Sequence, residues 1–163
     1  MNKNEYTKAV ENWLIEFINN QNDIKLLEIY KNINLSKLHN IQLKSTSKFS
    51  NCDFVCDLSA LVELHDGTVD VILVNRYVSG VGLTMIGEMF VYNKIAKPYL
   101  SFIISSKGHS SEINNVLLDS KISERLFGND GKMFLFSLEK QVDKDSILPV
   151  STRDKFIERL NLF

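Results

Sequence analysis

Residues 69–105 read VDVILVNRYVSGVGLTMIGEMFVYNKIAKPYLSFIIS. The apolar run VILV near their start is typical of a strand that is covered on both faces of its sheet. Thr84 is a candidate N-cap for a helix that should reach Ala96, because Pro98 disfavours helical backbone just before it. Residues 99–105 then predict a second buried strand. Strand, helix and strand in this order predict a right-handed βαβ unit whose two strands are parallel.

The N-terminal side predicts one amphipathic helix, an uncertain segment and a hairpin. Apolar residues recur there at helical spacing: Tyr6, Val10, Trp13, Leu14, Phe17 and Ile18. Residues 24–38 are compatible with a second short helix, although asparagine is frequent in them. Residues 49–64 are strand-like, and His65-Asp66-Gly67 follows them as a hairpin turn would. The role of residues 20–48 is left open.

The C-terminal side predicts further alternation of helix and strand. Ser110 or Ser111 is a candidate cap for a helix, and residues 133–138 predict a last strand. Ser151-Thr152-Arg153-Asp154 has the pattern of a capping box before a closing helix. We expect residues 1–163 to form a single domain, because two prolines and seven glycines leave little material for a linker.

Composition limits the kinds of partner and location. The formal net charge of -1 lacks the basic excess of a dedicated nucleic-acid binder, so a nucleic-acid site would have to be a local patch. Neither an 18-residue apolar run nor a signal peptide is apparent, so we expect a cytoplasmic protein with no membrane partner. Cys52 and Cys56 would lie about 13 Å apart in an extended chain, which predicts two buried thiols rather than a disulfide.

The middle of the chain resembles the PD-(D/E)XK, or restriction-endonuclease-like, nucleases. The resemblance rests on NCDFVCDLSALVEL at 51–64, on VDVILVNRY at 69–77 and on the helix and strand that follow, within residues 49–112. It implies an α/β fold with a central mixed sheet flanked by helices. The expected core has the element order αβββαβ, here with an extra N-terminal helical segment.

In that family, one acid on the second strand and an E-x-K pair on the third hold Mg²⁺, which takes oxygen ligands and activates water. The resemblance places the first acid on Asp53 or Asp57 and the E-x-K pair on Leu73-Val74-Asn75. Leucine offers no oxygen and asparagine no charge, so the key acid and lysine are both replaced. Arg76 points to the opposite face of the sheet if the pleat is regular.

The helix motif Q-x-x-x-Y of the family falls on Glu88 and Tyr92, one turn apart on the same face. Some family members supply the missing strand glutamate from this helix, so Glu88 could form a metal site with Asp57 or Asp53. The implied nucleic-acid contacts are Asn75, Arg76, Tyr92 and Lys107, the last in a loop before a helix N-terminus. The alternatives are a solvated strand end for the aspartates and a core aromatic for Tyr92.

The leading hypothesis is a catalytically degenerate nuclease-like protein without a cofactor, which binds DNA or RNA or serves as an assembly subunit or homodimer. One alternative is an active Mg²⁺-dependent endonuclease or exonuclease that uses Asp57, Glu88 and Arg76. Another is a pure protein-interaction module. A flat apolar face around Glu88 would favour the module. Nucleic-acid binding would be favoured if the following cations gather there: Lys44, Lys48, Arg76, Lys94, Lys97 and Lys107.

Overall fold

The computed structural model of the chain describes residues 2–38, 49–128 and 130–161. The helices in these ranges are α1 (Lys3–Asn19), α2 (Leu83–Ala96), α3 (Ser111–Leu118), α4 (Ser120–Phe127) and α5 (Arg153–Leu160). The strands are β1 (Ile24–Lys31), β2 (Leu58–Leu64), β3 (Val69–Tyr77), β4 (Leu100–Ser105), β5 (Met133–Leu138) and β6 (Val142–Leu148). Short 3-10 turns cover Leu35–Lys37 and Val150–Thr152.

The strands form one mixed sheet in the order β1-β2-β3-β4-β5-β6. The first three strands are an antiparallel meander, β3, β4 and β5 are parallel, and β6 is antiparallel to β5. The pairing of β3 with β4 runs from Ile72 opposite Leu100 to Tyr77 opposite Ser105. The predicted βαβ unit is therefore confirmed, with α2 as its crossover helix, and the chain is α/β with a central mixed sheet flanked by helices.

Helices cover both faces of the sheet. On one face, α1 and α5 pack on the strands in an aromatic cluster that includes Trp13, Phe102 and Phe156. On the other face, α2, α3 and α4 pack on a second cluster that includes Leu73 and Met89. Alternate residues of β3 enter the two clusters, which explains its continuous apolar run. Each fully buried aliphatic side chain contributes about 1.5–3 kcal/mol of burial free energy.

The prediction of a second short helix at 24–38 is wrong. These residues form strand β1, which pairs antiparallel with β2, and then the 3-10 turn. A register shift between Leu26 and Glu28 breaks the two-residue alternation of β1, so the strand has no clear period in the sequence. The extra N-terminal helical segment is accordingly absent from the described residues, where α1 is the only helix before β1.

Three other boundaries differ from the sequence predictions. Residues 49–57 form no named strand and make one isolated bridge, from Val55 to Asn34. The strand at 133–138 is not the last, because the charged edge strand β6 follows it. Helix α2 begins after Gly82, so Thr84 is inside it and is not its N-cap.

Several local predictions are confirmed. Residues 65–67 form the β2–β3 turn, in which Gly67 has a φ of 78°. Helix α2 ends at Ala96, and both Cys52 and Cys56 are buried, as predicted. The predicted closing helix is present, but its N-cap is Thr152, whose side chain makes no capping hydrogen bond, so the predicted capping box is not formed. Among the described residues, none of the helices has the length and apolar character needed to cross a membrane.

Candidate functional site

A polar cluster lies where the start of β2, the end of β3 and helix α2 meet. Leu58, the first residue of β2, pairs with Val74, so Asp57 lies beside Asn75. The backbone N–H of Asp57 donates to Asn75 Oδ1 at 3.2 Å. Asn75 is buried, with only 6% of its surface exposed, so its side-chain amide is a fixed part of the cluster.

The Asp57 carboxylate is held by Arg76. Its Oδ2 accepts the backbone N–H of Arg76 at 2.8 Å, and its Oδ1 lies 3.6 Å from Arg76 Nη1. Arg76 Nε also donates to Thr7 Oγ1 of α1 at 3.1 Å. The guanidinium therefore lies on the α1 face of the sheet, opposite Asn75, as the pleat predicts. It joins α1, β2 and β3 and is turned away from the α2 side of the cluster.

Glu88 and Tyr92 form the helical side of the cluster. The Tyr92 hydroxyl donates to Glu88 Oε1 at 2.5 Å, and the Phe54 ring stacks on Tyr92 with a centroid distance of 4.0 Å. Burial raises the pKa of Tyr92, and the hydrogen bond to the negative Glu88 raises it further. Glu88 and Tyr92, the two positions of α2 that match the Q-x-x-x-Y motif, are therefore joined by a side-chain hydrogen bond across one helical turn.

Tyr77 and Cys56 both lie within electrostatic reach of Asp57 and Glu88. Burial raises the pKa of Tyr77 to about 12, and the charges of Glu88 and Asp57 add to the effect. Burial also raises the pKa of the Cys56 thiol, again with contributions from Asp57 and Glu88. Both groups are thus neutral at pH 7, and the cluster holds two carboxylates among neutral hydrogen-bonding groups.

Asp53, Leu73 and Lys107 lie outside this hydrogen-bonded cluster. Asp53 accepts a hydrogen bond from Asn34 Nδ2 at 2.5 Å, in the irregular segment before β2. Leu73 is completely buried in the second core cluster. Lys107 lies in the loop after β4, where its backbone N–H donates to Ser105 Oγ. The described residues contain no group of three or more His, Cys, Asp and Glu side chains placed to hold a metal ion.

Two of the expected cations, Lys94 and Arg76, lie away from Glu88. Lys44 and Lys48 lie outside the described residues. At 100° per residue, Lys94 falls on the flank of α2 opposite to Tyr92, and Arg76 is on the other face of the sheet. The outward face of α2 also carries apolar side chains beside the exposed Glu88 and Lys94, with the following residues between 45% and 49% exposed: Leu83, Val91 and Ile95.

Sequence reasoning missed Tyr77, Cys56 and Phe54 as members of the cluster. Tyr77 shares the parity of Leu73 and Asn75 along β3, so the two-residue period could have identified it. Cys56 and Phe54 lie in an irregular segment, where no period indicates which side chains turn inward.

Comparisons of the chain with protein-family models, with curated proteins and with solved structures give no significant match. The function of the cluster therefore has to be inferred from its own geometry. Two carboxylates, two phenols and one amide can hold a ligand through hydrogen bonds. With a single pair of carboxylates, one of them bound to a guanidinium, the cluster offers few oxygen ligands for a hard divalent cation.

Proposed function

We propose that this chain is a catalytically degenerate PD-(D/E)XK nuclease-like protein that binds nucleic acid without hydrolysing it. The order α1-β1-β2-β3-α2-β4 supports this, because it is the αβββαβ order expected from the resemblance. The antiparallel meander followed by a parallel fourth strand is compatible with the same core. Fold order alone does not establish function, so the proposal depends on the site.

One observation carries the proposal: β3 presents no charged side chain to the α2 face. The residues of β3 on that face are Val69, Val71, Leu73, Asn75 and Tyr77. Tyr77 stays neutral at pH 7 because its pKa is raised to about 12. The strand that should supply both an acid and a lysine therefore supplies neither on this face, so β3 offers no cation there to position an attacking water.

A cleavage assay tests the absence of hydrolysis. Labelled single-stranded and duplex DNA and RNA would be incubated with the protein and Mg²⁺ or Mn²⁺, in parallel with the variant Asp57→Asn/Glu88→Gln. We expect no turnover above that of the variant. Metal-dependent cleavage that disappears with Glu88→Gln alone would contradict the proposal and favour the active nuclease, because Glu88 would then be a metal ligand.

The outward face of α2 favours a second candidate function, a protein-interaction module. Leu83, Val91 and Ile95 are half-exposed there, and Gly87 between them leaves open space above the helix. Exposed apolar stripes of this kind mark protein contacts. Sedimentation of the protein over a range of concentrations tests self-association, with Val91→Glu as the disrupting variant and the equally exposed Val150→Glu as its control. A monomer at all concentrations would count against a homodimer.

A further inference from the structure

A basic cleft lies on the other flank of α2, away from Glu88 and Tyr92. It occupies about 260 Å³ between the end of α2, helix α4 and the start of β5, and a shallow depression adjoins it at Lys94 and Gly128. Five cations line the cleft and the depression: Lys94, Lys97, Lys121, Arg125 and Lys132. Only two carboxylates lie among them, those of Glu124 and Asp130.

This cleft concentrates positive charge on a chain whose formal net charge is -1. Within the described residues, ion pairs join Lys31 to Glu11, Arg76 to Asp57 and Arg159 to Asp23, and none involves a cation of the cleft. The five cations are all exposed and repel one another. A polyanion that bridges them would relieve this repulsion and would be attracted by the local field.

Lys97 adds a sign of functional constraint at the same place. It follows the last residue of α2 in the left-handed conformation, with φ 47° and ψ 56°. Glycine is the usual residue at such a helix end, because a side chain there costs about 1 kcal/mol. Strained positions of this kind cluster at functional sites. The residue held in this conformation is one of those that line the cleft.

We infer that the cleft binds the phosphate backbone of single-stranded nucleic acid, an inference that rests on the proposed function and gives it a location. Lysine and arginine on α2, α4 and the start of β5 can contact successive phosphates. Phe90 also lines the cleft, and Lys94 Nζ lies 5.2 Å from its ring centroid. An aromatic ring beside a cationic track is the arrangement with which proteins bind unpaired bases.

Fluorescence anisotropy with a labelled oligothymidylate of about 16 nucleotides, near the upper end of single-strand site sizes, tests the inference. If all five cations contact phosphates, the logarithm of the association constant should fall with the logarithm of salt concentration with a slope of about -3.5. The variant Lys94→Gln/Arg125→Gln should reduce that slope to about -2.1 and weaken binding roughly 25-fold at ~0.1 M salt.

The matched control is Lys25→Gln/Lys155→Gln, which removes two exposed lysines from β1 and α5. It should bind like the unmodified protein. If the protein binds the oligonucleotide but the cleft variant binds it as tightly as the control does, the cleft is not the binding site. The proposal of nucleic-acid binding would then stand without this location. If no binding occurs even at low salt, both proposals fail. Tighter binding of duplex, or displacement by inorganic phosphate at matched ionic strength, would overturn the assignment to a single strand.

Discussion

Replacing Arg76 by methionine should destabilise the protein without changing nucleic-acid binding. The Arg76 side chain is 14% exposed and joins Thr7 of α1 to Asp57 before β2. Losing the hydrogen bond of this charged group to Thr7 costs about 1.5–3 kcal/mol, and the aliphatic stem of methionine retains part of the packing. We therefore expect a loss of about 2 kcal/mol in the free energy of unfolding, or roughly 6 °C in Tm for a chain of this length.

A double-mutant cycle with Asp57→Asn isolates the ion pair. The two charges are 3.6 Å apart and Asp57 is 29% exposed, so solvent screening reduces the coupling to about 0.5–1 kcal/mol. Lys31→Met is the matched control, because Lys31 also joins a strand to α1, through Glu11, but is 53% exposed. It should change stability by less than about 0.5 kcal/mol.

Urea unfolding monitored by circular dichroism measures these differences, and anisotropy with the oligothymidylate measures binding. A variant Arg76→Met that unfolds like the unmodified protein but binds the oligonucleotide more weakly would refute the reasoning. Arg76 would then be a ligand contact, as the sequence first indicated, and not a structural link between α1 and the sheet.

Two further predictions concern ionisation and helix termination. All five tyrosines have raised pKa values, those of Tyr30 and Tyr77 to about 12. Because the folded-state pKa exceeds the unfolded value near 10, the resulting stability is complete below pH 10 and is lost as the pH rises towards 12. In a titration to high pH, phenolate absorbance should therefore appear together with unfolding. Tyrosine ionisation near pH 10 in the folded protein would contradict the raised pKa values. Lys97→Gly should raise stability by about 1 kcal/mol and weaken oligonucleotide binding roughly fivefold at ~0.1 M salt, as measured by thermal melting and anisotropy. A lower Tm would show that the Lys97 side chain makes a stabilising contact that outweighs its backbone strain.

The parts of the fold that follow from the sequence are those with a strong local period or a clear stop signal. The run VILV in β3, the helix that ends at Ala96 and the parallel pairing across the βαβ unit are of this kind. Strand β1 was missed because its bulge interrupts the alternation. Strand β6 was missed because its exposed edge carries charges where an inner strand would be apolar.

The candidate site follows from the sequence to a smaller extent. Glu88 and Tyr92 are one helical turn apart, and Asn75 and Arg76 point to opposite faces, as their spacing predicts. The bond between Asp57 and Arg76 was not predictable, because Asp57 follows an irregular segment whose path depends on tertiary packing. The basic cleft joins residues from three elements that are distant in the sequence, so no local pattern reveals it.

The substitution Asn75→Asp returns an acidic side chain to the face of β3 that the resemblance expects to carry one. Position 75 is suitable because Asn75 is already polar and lies beside Asp57, whereas Leu73 is completely buried among apolar side chains and a charge there would be costly. Aspartate has almost the shape of asparagine, so it would add a third carboxylate near Asp57 and Glu88 with little rearrangement. Without metal, the repulsion among these carboxylates should lower the Tm.

Thermal melting of Asn75→Asp in Mn²⁺ and in chelator tests the degenerate-site proposal most directly. A metal that binds only the folded state at 100 times its Kd adds about 2.7 kcal/mol, or roughly 8 °C for a chain of this length. We expect that rise for Asn75→Asp and none for the unmodified protein or for Asn75→Asp/Glu88→Gln. If Asn75→Asp melts at the same temperature in Mn²⁺ and in chelator, the cluster is not the remnant of a metal site and the central proposal is contradicted.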